Sequence, residues 1–411
     1  MSLLYTILVH ITWWFLHLVS FFNSKISLFV SGRKGVFKTL KSSISGQDEI
    51  IWIHVASLGE FEQGLPIIEQ LRAKHPNYKI LLTFFSPSGY EVKKNTTAAD
   101  VVTYLPMDTR RNAERFLSLA NPKLALFIKY EIWPNYLKTL SKKEIPTILV
   151  SASFKKNQIY FKPFGKFMRN ALKNFDHFFV QNERSKALLA SIGFDNCTIS
   201  GDTRFDRVTE ILQRDNKLDF MEAFKNGKTC FVAGSSWPED EKVIIPFVNQ
   251  TENDVKYVFA PHNIKQGHIE SLKDSIQRKT LLYSEIEQHD LSAYDVLIID
   301  TIGLLTKIYS YADIAYVGGG FVTGLHNTLE PAVYGIPVLI GPNYEGFHEA
   351  EELVQRKGIQ PIINSKDFQS TTQRLLTDNH FRETTGKINA DYIAENTGAT
   401  RVVIAYLNRF L

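Results

Sequence analysis

The sequence predicts an α/β protein of two domains, each built on a parallel sheet covered by helices. Three observations carry this. At 411 residues the chain is too long for one ordinary core and suits two domains of roughly 200 residues each. From residue 50 onward, short apolar runs rich in β-branched residues alternate with amphipathic stretches of helical length, the pattern of strands buried on both faces. That rhythm breaks once, over residues 206–228 ("DRVTEILQRDNKLDFMEAFKNGK"), which are polar and strandless, and then resumes.

The first element is different in kind. Leu3 to Phe22 ("LLYTILVHITWWFLHLVSFF") is twenty residues without a formal charge, long enough to cross a bilayer. His10, Thr12 and His17 weaken a deep span, while Trp13, Trp14 and the neighbouring phenylalanines suit a membrane interface equally well. No basic stretch precedes the run and no small-residue cleavage site follows it, so it reads as an anchor and not as a cleaved signal. Lys25, Arg33, Lys34, Lys38 and Lys41 come directly after, and the positive-inside bias then places the rest of the chain in the cytoplasm. A buried helix of a soluble protein is the alternative. Residues 1–30 are thus the expected anchor.

In the first half, "IIWIHVAS", "YKILLTFF", "DVVTYLP", "KLALFIKY", "PTILVSA", "HFFVQ" and "CTISGD" read as strands, which makes residues 31–215 a Rossmann-like domain. After the break, "TCFVAGS", "VKYVFAP", "KTLLYS", "YDVLIID", "DIAYVGG" and "IPVLIGP" build a second such domain over residues 216–411. The final helix is a candidate to pack back on the first domain. Two such domains are expected to face each other across a cleft. In open α/β sheets ligands bind outside the carboxyl ends of the strands, so chemistry is sought in the turns that follow them.

Bulk composition excludes several classes. With 44% hydrophobic and 22% charged residues the chain is that of a folded globular protein, and a net charge of +4 gives no general nucleic-acid signature. Cys197 and Cys230 are the two cysteines, far apart and without partners at metal spacing, so neither a disulfide framework nor a zinc site is expected. No Walker A, H-E-x-x-H or G-x-S-x-G pattern occurs. In "YVGGGFVTGLHNTLEPAVYGIPVLIGP" the dinucleotide spacing started at Gly318 requires glycine at position 323, which is threonine, so a nicotinamide enzyme is disfavoured.

Several turns after strands carry chemistry instead. "HVASLGEFEQGLPII" puts Glu60 at the mouth of a helix, with Gly59 permitting a tight turn. A carboxylate in a first helical turn serves the macrodipole and the cap, or it can act as a base aimed at the crevice. "AGSSWPEDE" offers Ser235 and Ser236, with Ser236 and Glu239 spaced as a capping box whose helix start can take a phosphate. The loop Gly318 to Gly320 can admit a phosphate closely, and Glu330 shortly after can accept from ribose hydroxyls. Together these point to a nucleotide-sugar. His54, inside a strand, reads as a core histidine; His326 divides evenly between ligand contact and loop structure, and Trp133 and Trp237 between packing and contact.

"WIHVASLGEFEQGLPII", "YEIWPNYL", "GDTRFD", "AGSSWPEDE", "DTIGLLTKIYSYADIAYVGGGF" and "GLHNTLEPAVYGIPVLIGPNYEGFHEA" resemble, in this order, the 3-deoxy-D-manno-octulosonic acid (Kdo) transferases. The resemblance runs from the N-terminal anchor to the C-terminal helix. It implies a GT-B glycosyltransferase, an inverting and metal-independent reaction, CMP-Kdo as donor and lipid IVA as acceptor. It places the enzyme at the cytoplasmic face of the inner membrane of a Gram-negative bacterium, acting in lipopolysaccharide synthesis, with no cofactor and no nucleic-acid partner. The first domain would take the acceptor and the second the donor. Glu60 matches the general base, Glu131 a glutamate facing the cleft, and His262 a donor-side histidine. Gly319, Gly320, His326, Asn327 and Glu330 match the loop and helix that hold CMP, with Ser235 and Ser236 on the donor side. Two positions depart from the pattern: Lys129 stands where a glutamate is usual, and Ser153 where an arginine is usual. Lys129, Lys155 or Lys156 are the candidates to supply the missing charge. The rival functions are another membrane-associated GT-B transferase using a UDP-sugar, and an inactive binding protein of the same fold.

Overall fold

Alternation of side chains along each strand decides which face they cover. In Glu49–Val55 (β1), Ile50 and Trp52 enter one core with Phe116, Phe127 and Tyr136, while Ile51 and Ile53 enter another with Ile67, Leu71 and Leu126. Both faces are apolar because helices cover both. The computed structural model describes residues 2–250, 254–322 and 324–411. Met1, at the head of the expected anchor, and Thr323, which breaks the dinucleotide spacing, lie outside the described residues.

The chain divides into two compact units, Met1–Arg207 with Thr397–Leu411, and Val208–Asn396. In the first, β1 is joined by Tyr78–Phe84 (β2), Val101–Tyr104 (β3), Leu124–Ile128 (β4), Thr147–Ala152 (β5), His177–Val180 (β6) and Cys197–Ile199 (β7). All pair in parallel, in the order β3-β2-β1-β4-β5-β6-β7. The second unit holds Thr229–Ser236 (β8), Val255–Pro261 (β9), Thr280–Leu282 (β10), Val296–Ile298 (β11), Ile314–Val317 (β12), Val338–Ile340 (β13) and Ile359–Pro361 (β14). They are again parallel, in the order β10-β11-β9-β8-β12-β13-β14. β14 is the strand the sequence did not show. It is three residues long, too short for a periodic signal, and its Pro361 is tolerated because the strand lies at a sheet edge.

The final helix, Ala399–Leu407, belongs to the first unit. Val403, Ile404 and Leu407 join the core beside Ile67 and Leu71. Its start is fixed by Asp206, whose carboxylate accepts the N–H groups of Gly398 (2.5 Å) and Thr400 (2.6 Å).

The uncharged N-terminal run forms one helix, Ser2–Val19, that ends in a turn by Phe22; a second helix, Ser24–Ser31, capped by Asn23, follows it. Among the described residues no helix is long and apolar enough to cross a membrane. The first helix is docked on its unit. Tyr5 donates its hydroxyl to Asp108 at 2.8 Å, and its ring lies 5.3 Å from that of Phe167. Asp108 also accepts the N–H groups of Asn135 and Tyr136, and burial raises its pKa to about 6. The other face exposes Leu4, Ile7, Leu8, Ile11, Phe15 and Leu18, an apolar stripe at helical spacing.

Candidate active site

Each sheet switches its strand order at its centre, between β1 and β4 in the first unit and between β8 and β12 in the second. At a reversal, the connections leave neighbouring strands toward opposite faces and open a crevice at the carboxyl edge. Most of the predicted site residues stand at these two points, and the rest on the adjoining strand.

Glu60 follows β1 in the helix Leu58–Lys74. Ser57 is the N-cap, with an extended backbone (φ −141°, ψ −173°), and Glu60 is the third helical residue. Its Oε2 accepts the Ser57 N–H at 3.1 Å and a short hydrogen bond from the Ser57 hydroxyl, which is the capping-box arrangement. Gly59 does not make the turn, contrary to the sequence expectation. It lies inside the helix, where a side chain would meet nothing nearer than Ser57 Oγ at 3.8 Å. Capping and reactivity are compatible here because capping uses one oxygen. Among the described residues Oε1 has no hydrogen-bond partner.

Glu131 follows β4. Its Oε2 receives the Trp133 indole N–H at 2.9 Å and lies 3.0 Å from His54 Nε2. His54 is fully buried, as expected of a core histidine, but the partner that satisfies it is Glu131 itself. Trp133 likewise does more than pack. Burial, with the Glu131 charge added, pushes the Tyr160 phenol up to about 12. Lys129 adopts a left-handed backbone (φ 69°), uncommon for a residue with a side chain, and its ammonium lies 5.5 Å from the Tyr130 ring.

A cation appears where the sequence reading did not assign one. Burial raises the pKa of the Tyr130 phenol, Ser153 beside it lowers it, and its hydroxyl is within electrostatic reach of Asp202, Arg204 and Glu60. Arg204 grips Asp202 through Nε (2.9 Å), Nη2 (2.8 Å) and its backbone N–H (2.9 Å). Gln63 and Gln181 complete the shell of that carboxylate at 3.1 and 2.9 Å. Burial favours protonation of Asp202, but the charge and hydrogen bonds of Arg204 outweigh it and hold the pKa low. "GDTRFD" carried the signal, an aspartate and an arginine two residues apart after a strand. Lys155 and Lys156 are exposed.

In the second unit β8 shifts register between Gly234 and Ser236, with Ser235 at φ 52°. The expected Ser236–Glu239 capping box is not the one formed. The helix Pro238–Gln250 starts later, so Asp240 reaches back to the Trp237 N–H at 2.9 Å, while the buried Ser236 hydroxyl donates to Glu241 at 2.8 Å. Asp240 is fully buried and also accepts the Tyr316 hydroxyl (2.7 Å) and the Gly319 N–H (2.9 Å). Burial raises its pKa against the pull of those bonds. The glycine loop is therefore locked from below, and the Gly319 N–H serves the fold. Only glycine suits the φ of 94° at position 319, and a Cβ at Gly318 would collide with the Ser235 carbonyl oxygen.

Above that loop lies a platform of three rings. Trp237 and His326 are nearly coplanar (10°) and joined edge to edge, the indole N–H donating to His326 Nε2 at 3.0 Å. His262 stacks across both, at 4.6 Å from Trp237 and 4.5 Å from His326. An indole N–H can only donate, so Nε2 of His326 accepts and the ring proton sits on Nδ1. Burial and then the neighbouring His262 lower the His326 pKa to about 4, so the ring is neutral at physiological pH. Asn327 donates to Glu330 Oε1 at 3.0 Å, in the first turn of the short helix Leu329–Ala332. Among the described residues no group of three or more His, Cys, Asp or Glu side chains could hold a metal ion.

Solved structures share this architecture. The UDP-GlcNAc 2-epimerase of Neisseria meningitidis matches with a TM-score of 0.63 at 14% identity, over 88% of this chain and 100% of that one. MurG of Acinetobacter baumannii matches at 0.55 and 10% identity, over 88% and 99%. At such identities they establish the fold alone: two Rossmann-like units of the GT-B kind. Residues 30–207 match the family described as 3-Deoxy-D-manno-octulosonic-acid transferase (kdotransferase). Curated relatives named 3-deoxy-D-manno-octulosonic acid transferase extend the match. That of Aquifex aeolicus is 29% identical over 325 residues, 77% of this chain and 83% of that protein. That of Haemophilus influenzae is 26% identical over 379 residues, 88% and 87%. The chain carries the kdotransferase domain over residues 30–207 and is similar to curated Kdo transferases over most of its length; it is a glycosyltransferase.

Proposed function

We propose that the protein transfers Kdo from CMP-Kdo to lipid IVA by an inverting, metal-independent displacement. The observation that carries this is Glu60 within the matched segment: a carboxylate whose Oε2 is spent on the cap and whose Oε1 is open. In the reaction Oε1 takes the proton of the acceptor hydroxyl while its oxygen forms the bond to the anomeric carbon. The bond from that carbon to the phosphate breaks on the opposite face, and CMP leaves with the electron pair. General-base assistance of this kind is worth roughly a hundred- to ten-thousandfold.

The second unit supports the donor half of this reading. CMP leaves with a single phosphate, which neutral N–H donors can hold. His326 offers Nδ1–H for that purpose, and Glu330 is placed in a first helical turn to accept from ribose. Arg204, braced by Asp202, is the cation we assign to the anionic groups of the substrates near Glu60. The apolar stripe of the first helix suits a helix lying in a membrane interface, which keeps the enzyme at the cytoplasmic face of the inner membrane, beside its insoluble acceptor. Incubation with CMP-Kdo generated in situ and lipid IVA, followed by mass spectrometry of the lipid, tests the reaction. A Kdo mass increment that persists in EDTA is expected; an unmodified lipid, or activity that returns only with added divalent metal, contradicts it. Fractionation tests the location: the full chain is expected with membranes, and recovery in the cytosolic fraction without detergent or salt contradicts the interfacial helix.

A further inference from the structure

Behind Glu131 runs a line of side chains that the reaction does not touch. Trp52 on β1 donates its indole N–H to Thr83 Oγ1 on β2 at 2.8 Å. Thr83 Oγ1 in turn lies 2.8 Å from His54 Nδ1, and His54 Nε2 lies 3.0 Å from Glu131 Oε2. Trp52, Thr83 and His54 are all fully buried. The Trp133 indole N–H lies 3.1 Å from His54 Nε2 and 2.9 Å from Glu131 Oε2; an ionised carboxylate only accepts, so with the indole N–H given to Oε2 the ring proton on Nε2 lets His54 donate to Glu131 as well. On the other side, Nδ1 meets a hydroxyl, a group that donates to a bare nitrogen and accepts from a protonated one. The Thr83 carbonyl, 3.1 Å from Nδ1, accepts only. With the proton on Nε2, Nδ1 accepts from the Thr83 hydroxyl, and a doubly protonated ring donates there instead, so the bond to Glu131 is kept in both of those forms.

Glu131 consequently has an asymmetric carboxylate. Oε2 carries two donors, His54 and Trp133, whereas Oε1 has no hydrogen-bond partner among the described residues, and the side chain is 12% exposed. Two donors on one oxygen fix the plane of the group and the direction of the other oxygen. We propose that Trp52, Thr83 and His54 form a positioning relay that aims Glu131 Oε1 to accept a hydrogen bond from a sugar hydroxyl during transfer, with His54 acting only through Glu131. This rests on the glycosyl-transfer reading above. The left-handed backbone at Lys129, two residues before Glu131, is strain of the sort that accompanies a presented side chain.

The test is a double-mutant cycle of His54→Leu and Glu131→Gln, with His54→Gln as the conservative variant, read as kcat/KM for transfer by the full chain and accompanied by melting temperature. Loss of a charge-assisted hydrogen bond predicts a drop of about ten- to hundredfold for His54→Leu. His54→Gln, whose amide N–H can reach the position of Nε2, is expected to recover most of it. In the Glu131→Gln background, His54→Leu is expected to cost little more. Losses that multiply, or a well-folded His54→Gln as impaired as His54→Leu, overturn the proposal. A second readout does not depend on turnover. In protein carrying 15N-histidine, the His54 Nε2–H signal, assigned by its loss in His54→Gln, is expected to be slow to exchange and to shift in Glu131→Gln. A signal that is absent, or indifferent to Glu131→Gln, overturns the relay even if the wild type transfers Kdo. A wild type inactive with CMP-Kdo and lipid IVA but showing that signal contradicts the assigned reaction and leaves the relay supported.

Discussion

The two units reverse strand order at equivalent places and furnish the reversal with opposite chemistry. After β1 and β4 the first unit sets two carboxylates, Glu60 and Glu131, each with Oε2 occupied by two donors and Oε1 without a hydrogen-bond partner among the described residues. After β8 and β12 the second unit also has a carboxylate, Asp240, but it is fully buried and turned inward to lock the glycine loop. What that unit offers a ligand is a neutral ring platform with a proton on His326 Nδ1. On the proposed reading one sheet edge accepts protons and the other an anion. The difference lies in which way a carboxylate points and what its second oxygen touches, and not in the fold.

Substitutions that separate the two halves sharpen or break this contrast. The largest effect is expected for Glu60→Asp: retracting the carboxylate by one methylene misplaces it by about an ångström, which can cost on the order of a hundredfold in transfer. CMP affinity, measured by calorimetry, is expected to stay within about twofold, well under 1.4 kcal/mol. A parallel fall in CMP affinity breaks the division of labour. Next comes Glu330→Ala. Removing charge-assisted bonds to ribose predicts a loss of CMP affinity of about ten- to hundredfold, with the fold intact; an unchanged affinity returns Glu330 to a structural role.

The smallest effect concerns acid stability. His326 titrates near 4 when folded against an ordinary value of 6.5. Between those values the unfolded chain binds more protons, so this residue's contribution to stability is full above 6.5 and is lost as pH falls toward 4. Asp108 in the first unit, raised from 3.8 to about 6, has the opposite sign: its contribution is present below 3.8 and lost as pH rises through 6. Thermal melts from pH 7 to pH 4 are therefore expected to show a shallower acid loss in His326→Gln and a steeper one in Asp108→Asn. The reverse ranking contradicts the assigned environments.

How much of this the sequence disclosed follows the range of each interaction. The strands were legible because their signal is local: "LALFI" within "KLALFIKY" is an unbroken apolar run, and β4 is buried throughout. β14, three residues at an edge, had no such signal. Glu60 was legible as a helix-start carboxylate, but its turn was misread, because Ser57 and not Gly59 sets the backbone. A frame shift of one residue hid the true capping pair of the second unit, Trp237 and Asp240. The Glu131–His54 contact joins residues 77 apart through the pairing of β1 with β4, which no local pattern records. Glu131 itself was found through its motif, whereas the reason for its orientation needed the sheet.

The central claim is that Glu60 Oε1 is the base, and Glu60→Gln tests it most directly. The amide keeps the shape and can preserve contacts to Ser57, yet it cannot take a proton from the acceptor hydroxyl. Transfer of Kdo to lipid IVA by the folded variant is expected to fall at least about a hundredfold, the lower end of general-base contributions, while CMP binds as it does to the wild type. Near-normal transfer by Glu60→Gln would contradict the account and move the base elsewhere, with Glu131 the next residue to test.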